Sequence, residues 1–281
     1  MKNIRAILIF FSLISSLTLT AQQPCSIRGL VPFRQGNLWG YSDTAKRLVI
    51  KPQFSMAFPF AYDWNTLVNN DDQYATVIIK GNKYRINSAG KLHPFLEKKE
   101  VVKTVHDEPA MQLKVISENG KQGVTKAGEM LIHPFYEKAI VVNDELERVF
   151  VKRNGKWGML GYQTRVELPI IFDTLCYVPD AGYNNFLVAA KEQGKWKLLN
   201  YRNQNLANDE FDALKYRKDN INVFYAAKKN EKWALLDQDG NKLTGFDYDD
   251  IDLSFSLENL FLVTENGKKY YINCKGTLFK S

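Results

Sequence analysis

From Leu30 onward the apolar residues fall in short runs with a period near two, broken every few positions by Gly, Asn or Asp. Such runs read as strands: Leu30-Val31-Pro32-Phe33, Val77-Ile78-Ile79, Leu113-Lys114-Val115-Ile116, Val149-Phe150-Val151, Phe186-Leu187-Val188, Val223-Phe224-Tyr225 and Leu260-Phe261-Leu262-Val263. A two-residue turn suited to positive φ follows each: Gly36-Asn37, Gly81-Asn82, Asn119-Gly120, Asn154-Gly155, Gln193-Gly194, Asn230-Glu231 and Asn266-Gly267. The outgoing strand opens on an aromatic in four units, at Trp39, Trp157, Trp196 and Trp233, and on Lys83, Gln122 and Lys269 in the others. Several units then place Gly three residues after a polar starter, as in Asn87 to Gly90 and Asp237 to Gly240, which predicts a second hairpin turn. An extended segment closes the unit on phenylalanine: Phe54, Phe95, Phe135, Phe172, Phe211 and Phe246.

The landmarks recur at spacings of about 35 to 44 residues, which makes the chain a repeat protein of about seven β-hairpin or meander units. A meander of five- or six-residue strands cannot cover its own apolar face, so each unit must stack on its neighbours. The tryptophans and closing phenylalanines are therefore assigned structural roles. Three or four antiparallel strands per unit predict an all-β fold, a β-propeller of about seven blades, with an open β-solenoid of stacked hairpins as the competing architecture.

Lys156-Trp157-Gly158 and Trp39-Gly40 carry the signature of the bacterial WG-repeat (KWG-repeat) proteins, which this sequence resembles from about residue 30 to 280. Lys197 and Ala234 stand where that pattern has glycine. The resemblance implies an exported or envelope-associated protein and no shared catalytic activity, and it supplies no site residues.

The first residues predict a secretory leader over 1–21: basic Lys2 and Arg5, an apolar run from Ala6 to Leu19, and Ala21 as the small residue before cleavage. That run is too short and too serine-broken for a membrane span. The remaining 22–281 form the repeat domain, and the product is periplasmic, cell-surface or secreted. In an oxidising compartment Cys25, just ahead of the first unit, and Cys274, inside the last, are candidates for a disulfide that closes a ring; Cys176 lies in an apolar stretch as a packing residue.

Net charge is +7, and loss of Lys2 and Arg5 with the leader leaves +5. The basic residues are spread over turns and outward strand positions rather than gathered into a stripe, which argues against nucleic acid. His93, His106 and His133 have no partner motif, and neither a nucleophile elbow nor a Cys/His metal spacing occurs. Asp237-Gln238-Asp239-Gly240-Asn241 imitates part of a calcium loop but falls at the second-turn position and lacks the bidentate glutamate. Asp173, Asp212 and Asp247 recur at one repeat position, which suits a shared strand-end bond better than a catalytic pair needing two differently tuned carboxylates. The expectation is a non-enzymatic module without cofactor that engages a protein partner. A glycan-binding surface offering Tyr177, Tyr183, Tyr201, Tyr216 and Tyr248 is the alternative, and a hydrolase with a central carboxylate site ranks below both.

Overall fold

Asn154 and Gly155 both take positive φ (52° and 74°), so the chain reverses in two residues and hands Arg153 directly to Lys156 across the ladder. Equivalent turns organise the whole molecule. The computed structural model describes residues 27, 29–60, 74–95, 113–178, 187–216, 224–254 and 259–281. Among them are seven small antiparallel sheets and no α-helix; a single 3-10 turn spans Tyr162–Thr164. In sheet two the turn is Lys80-Gly81, because Ile79 pairs with Asn82, one position earlier than the sequence suggested.

Each complete sheet has a lead strand, an apolar strand, a tryptophan strand and a closing strand, in that order. Sheet four shows all of them: Lys138–Asn143, Arg148–Arg153, Lys156–Leu160 and Val166–Phe172. Sheet two (Met56–Ala57, Tyr74–Ile79, Asn82–Asn87, Leu92–Pro94) and sheet seven (Asp250–Asp252, Leu260–Glu265, Lys268–Asn273, Leu278–Phe279) repeat it. Sheets one (Val31–Gln35, Leu38–Ser42, Leu48–Phe54) and three (Leu113–Glu118, Lys121–Lys126, Glu129–Tyr136) show the last three strands. Sheets five (Thr174–Val178, Leu187–Glu192, Lys195–Asn200) and six (Ala213–Tyr216, Tyr225–Lys229, Lys232–Leu236) show the first three.

Glycine after the tryptophan position decides how the closing strand runs. In sheets one, three and four that strand carries a bulge, and a Cβ on Gly40, Gly123 or Gly158 would lie under 3 Å from its backbone, at Ile50 and Pro52, Ile132 and Pro134, or Leu168 and Ile170. Lys197 and Ala234 occupy the position in sheets five and six. There the closing segment meets the tryptophan strand at isolated bridges, Trp196 with Phe211 and Leu199 with Asn205 in sheet five, and Trp233 with Tyr248 and Leu236 with Lys242 in sheet six.

A single residue links one sheet's closing segment to the next sheet's lead strand. These joints are Ser55, Glu137, Asp173, Asp212 and Asp249, and each donates its N–H to the next apolar strand, at Ile78, Lys152, Lys191, Lys228 and Thr264, over 2.8–2.9 Å. The equivalent acceptor in sheet one, the Arg34 carbonyl, receives the N–H of Ser281 at 3.2 Å. Sheet seven therefore abuts sheet one at the acceptor the other junctions use, but through a parallel bridge between Lys280 and Arg34 where the others lead into an antiparallel strand. Val31, Phe33, Trp39 and Tyr41 share one core cluster with Leu260, Leu262, Tyr271 and Phe279, while other clusters span sheets three and four, four and five, five and six, and six and seven.

Candidate functional site

The repeated residues are consumed in holding the sheets together. Trp39 faces Phe54 and Trp157 faces Phe172 across their ladders, with Trp39 and both phenylalanines in the core. Trp157 and Trp196 are half-buried beneath Lys152 and Lys191, whose ammonium groups lie 5.8 and 5.9 Å from the ring centroids. Phe211 is buried opposite Trp196. Trp233, also buried, faces Tyr248 rather than Phe246, which is half-buried and packs with the core between sheets five and six. In sheet three Tyr136 stands opposite Gln122 and leaves Phe135 71% exposed; Phe95 is also exposed, with Lys83 5.4 Å from its ring.

The joint carboxylates are committed in the same way. Asp173, Asp212 and Asp249 pair with Lys156, Lys195 and Lys232, and the last two accept backbone N–H bonds from Asn230 and Gly267 in the following turn. A hydrogen bond from the partner lysine holds each of the three carboxyls below its ordinary range. The third member of the set is Asp249, not Asp247, because the closing aromatic of that unit is Tyr248.

Chemistry that does not repeat appears on the lead strands. The third residue beyond each joint is Phe58, Ile140, Cys176, Lys215 and Asp252 in turn. A shallow recess of ≈ 270 Å³ opens where the lead strands of sheets six and seven meet, lined by Lys215, Tyr216, Asp250, Asp252, Leu253 and Ser254. The Lys215 ammonium pairs with Asp250, donates to the Ile251 carbonyl at 3.4 Å and sits 4.2 Å from the Trp233 centroid. Asp252 accepts from the Ser254 N–H at 2.8 Å and from its hydroxyl at 2.5 Å. Burial, with a hydrogen bond to Cys176 behind it, pushes the Tyr216 hydroxyl well up. The recess thus offers prearranged polar groups to a small polar moiety. Its one amine is engaged by Asp250, and its serine hydroxyl donates to the Asp252 carboxylate.

The other candidates have local explanations. Asp237 Oδ1 accepts the N–H groups of Asp239 and Asn241 at 2.9 and 2.8 Å, as Asn200 does for Arg202 and Gln204 and Asn273 for Lys275 and Thr277. The calcium-like stretch is one of these self-bonded turns. Among the described residues no group of three or more His, Cys, Asp or Glu is placed to hold a metal ion. His93 stacks edge-on against Tyr74 and His133 lies beside Phe135. Tyr201 lies between the Arg148 and Arg202 guanidiniums, 4.8 and 5.2 Å from its centroid; Tyr177 is half-buried and Tyr248 buried. His106 and Tyr183 lie outside the described residues. Cys274 is disulfide-bonded and Cys176 is free; Cys25, the expected partner of Cys274, lies outside the described residues.

Seven small antiparallel sheets among the described residues, with one recurring joint seen at five junctions, define an all-β repeat protein. The family model for the WG containing repeat matches at residues 39–74 and 233–268, that is, from the tryptophan strand of sheet one to the start of the apolar strand of sheet two, and from the tryptophan strand of sheet six through the first two strands of sheet seven. The chain thus carries the WG containing repeat at these two places. No curated protein sequence matches it. Among solved structures, a dihydro-heme d1 dehydrogenase NirN in complex with DHE is similar over 89% of this chain, at 10% identity and a TM-score of 0.31. The chain spans 65% of that structure's length.

Proposed function

We propose that the protein is an exported, non-enzymatic docking module: a ring of seven sheets, closed as in a propeller, that engages a protein partner in the cell envelope or outside the cell. The observation that carries this reading is the division of labour along each unit. Aromatic, glycine and aspartate positions that recur are largely spent on internal contacts, whereas the third position beyond the joint varies from Phe58 to Asp252, and in sheets six and seven its residues, Lys215 and Asp252, line the recess. Repetition of a structural set with variation at one presented position is how repeat arrays build binding surfaces. Closure is supported by the Ser281–Arg34 bond and by the core shared between sheets one and seven. Export rests on the leader-like sequence of 1–21 and is consistent with the oxidised Cys274. No helix among the described residues is long and apolar enough to cross a membrane.

The test is a pull-down from native envelope and culture-medium fractions with tagged residues 22–281, repeated with Lys215→Ala and Asp252→Ala. A protein enriched by the parent and lost with either substitution supports the reading. Enrichment of glycans instead, or retention on both variants, overturns the protein-docking reading or its placement at the recess.

A further inference from the structure

The side-chain donors on the wall of the recess between sheets six and seven already point at acceptors inside the molecule. The Lys215 ammonium pairs with Asp250 Oδ1, donates to the Ile251 carbonyl at 3.4 Å and lies 4.2 Å from the Trp233 centroid. The Ser254 hydroxyl and N–H both donate to Asp252 Oδ1, at 2.5 and 2.8 Å. The Tyr216 hydroxyl is bonded to Cys176, so the ring is what this residue adds to the wall. Among the described residues of the wall, no side-chain donor is left for an anion.

Acceptors, by contrast, are left over. Oδ2 of Asp250 and Oδ2 of Asp252 accept no hydrogen bond, and Asp252 has no ion pair, among the described residues. Lys215 and Asp252 stand at the same position on neighbouring lead strands, the third beyond the joint, yet the ammonium goes to Asp250 and leaves Asp252 without a counter-charge. One cation against two carboxylates gives the wall one net negative charge. Beside that charge lie the Tyr216 ring and buried Leu253, which offer apolar surface.

We propose that the recess receives a basic side chain, lysine or arginine, of a protein partner; this rests on the protein-docking reading above and names the chemistry its partner presents at that site. A single positive charge answers the single negative one, and its head group supplies the donors that the two Oδ2 atoms lack. The long apolar stem of either side chain lies along Tyr216 and Leu253. A partner carboxylate or phosphate would instead face Asp252 with no donor on the wall to offset the repulsion. A divalent cation would find two carboxylates and, among the described residues, no third His, Cys, Asp or Glu grouped with them.

The experiment titrates the whole processed chain, to about 0.5 mM, into a fluorescein-labelled peptide of about fifteen residues that alternates lysine with serine and glycine, and reads binding by fluorescence anisotropy. Asp252→Asn keeps an acceptor for Ser254 and removes the charge, and is expected to weaken binding about tenfold. Asp252→Glu restores the charge and is expected to recover binding to within about threefold. Asp247→Asn removes an exposed carboxylate outside the recess and is expected to change binding less than about twofold. Acetylating the peptide's lysines is expected to abolish it. No binding by the parent, equal losses in Asp252→Asn and Asp247→Asn or in Asp252→Asn and Asp252→Glu, undiminished binding of the acetylated peptide, or tighter binding of a peptide with glutamate for lysine overturns the proposal. A native partner lost with Lys215→Ala but retained on Asp252→Asn overturns this inference alone and leaves the docking reading standing. Peptide binding that depends on Asp252, with no native partner recovered, removes the docking reading's support and leaves the ligand chemistry in place.

Discussion

Gly158 shows how much one missing methyl group decides. Added Cβ atoms at Gly40, Gly123 and Gly158 meet backbone atoms of the bulged closing strand, which cannot swing away as a flexible side chain would. Gly158→Ala is therefore expected to destabilise the fold by ~1–3 kcal/mol, the usual range for overpacking, read as a fall in thermal midpoint. Ala234→Gly meets no such strand and should cost only ~0.5–1 kcal/mol from added backbone freedom. If the two substitutions gave equal losses, the bulge would not be the reason for glycine. The Trp-Gly pair is legible in the sequence, but its purpose is not: the backbone that approaches the glycine appears only once the closing strand is in place.

Joints govern the behaviour of elements. Asp173, Asp212 and Asp249 hold lowered carboxyl pKa values, chiefly through their lysines, so their contribution is present above the ordinary carboxylate value of 3.8 and is lost as pH falls through the depressed folded values. Thermal midpoints measured from pH 6 down to pH 2 should fall more steeply for the parent than for a triple Asp→Asn variant, with the two curves converging at the acid end. Parallel curves would remove the joints from the acid response. The sequence placed Asp173 and Asp212 correctly and misplaced the third. Trp39 and Phe54, Trp157 and Phe172, and Trp196 and Phe211 are each fifteen residues apart, and the same count from Trp233 arrives at Tyr248, putting the joint at Asp249. That interval was a usable signal; the identical Phe-Asp pair at 246–247 concealed it. In sheet three the spacing shortens by one, and two adjacent aromatics, Phe135 and Tyr136, compete for the closing position.

At the scale of the molecule, turn chemistry and unit length indicate about seven units, and seven sheets stand among the described residues. They were silent on which surfaces stay uncommitted, because that depends on which lysines find carboxylates across a joint. The contact between the first and last sheets depends on Arg34, whose guanidinium lies 5.6 Å from the Trp39 centroid and 5.5 Å from that of Tyr270. Arg34→Ala is expected to accelerate amide hydrogen exchange in Val31–Gln35 and Leu278–Phe279 while sheets four to six stay protected. Uniform acceleration would indicate one cooperative unit instead. Cys274→Ser should lower stability by ~2–5 kcal/mol, as loss of a native disulfide does, and concentrate the same exchange at those strands.

The bond from Ser281 to the Arg34 carbonyl is made within one chain, but nothing in its chemistry requires a single chain. The tail of one molecule could satisfy the Arg34 of another and leave its own Arg34 waiting for a third, a head-to-tail association that grows into a fibre unless it happens to close. Tethering favours the intramolecular choice, because the tail is held near its acceptor at an effective concentration no dilute neighbour reaches. The Arg34 side chain, bonded to the Lys269 carbonyl, adds to that preference, and head-to-tail polymer is the form to look for when Arg34→Ala is held at high protein concentration.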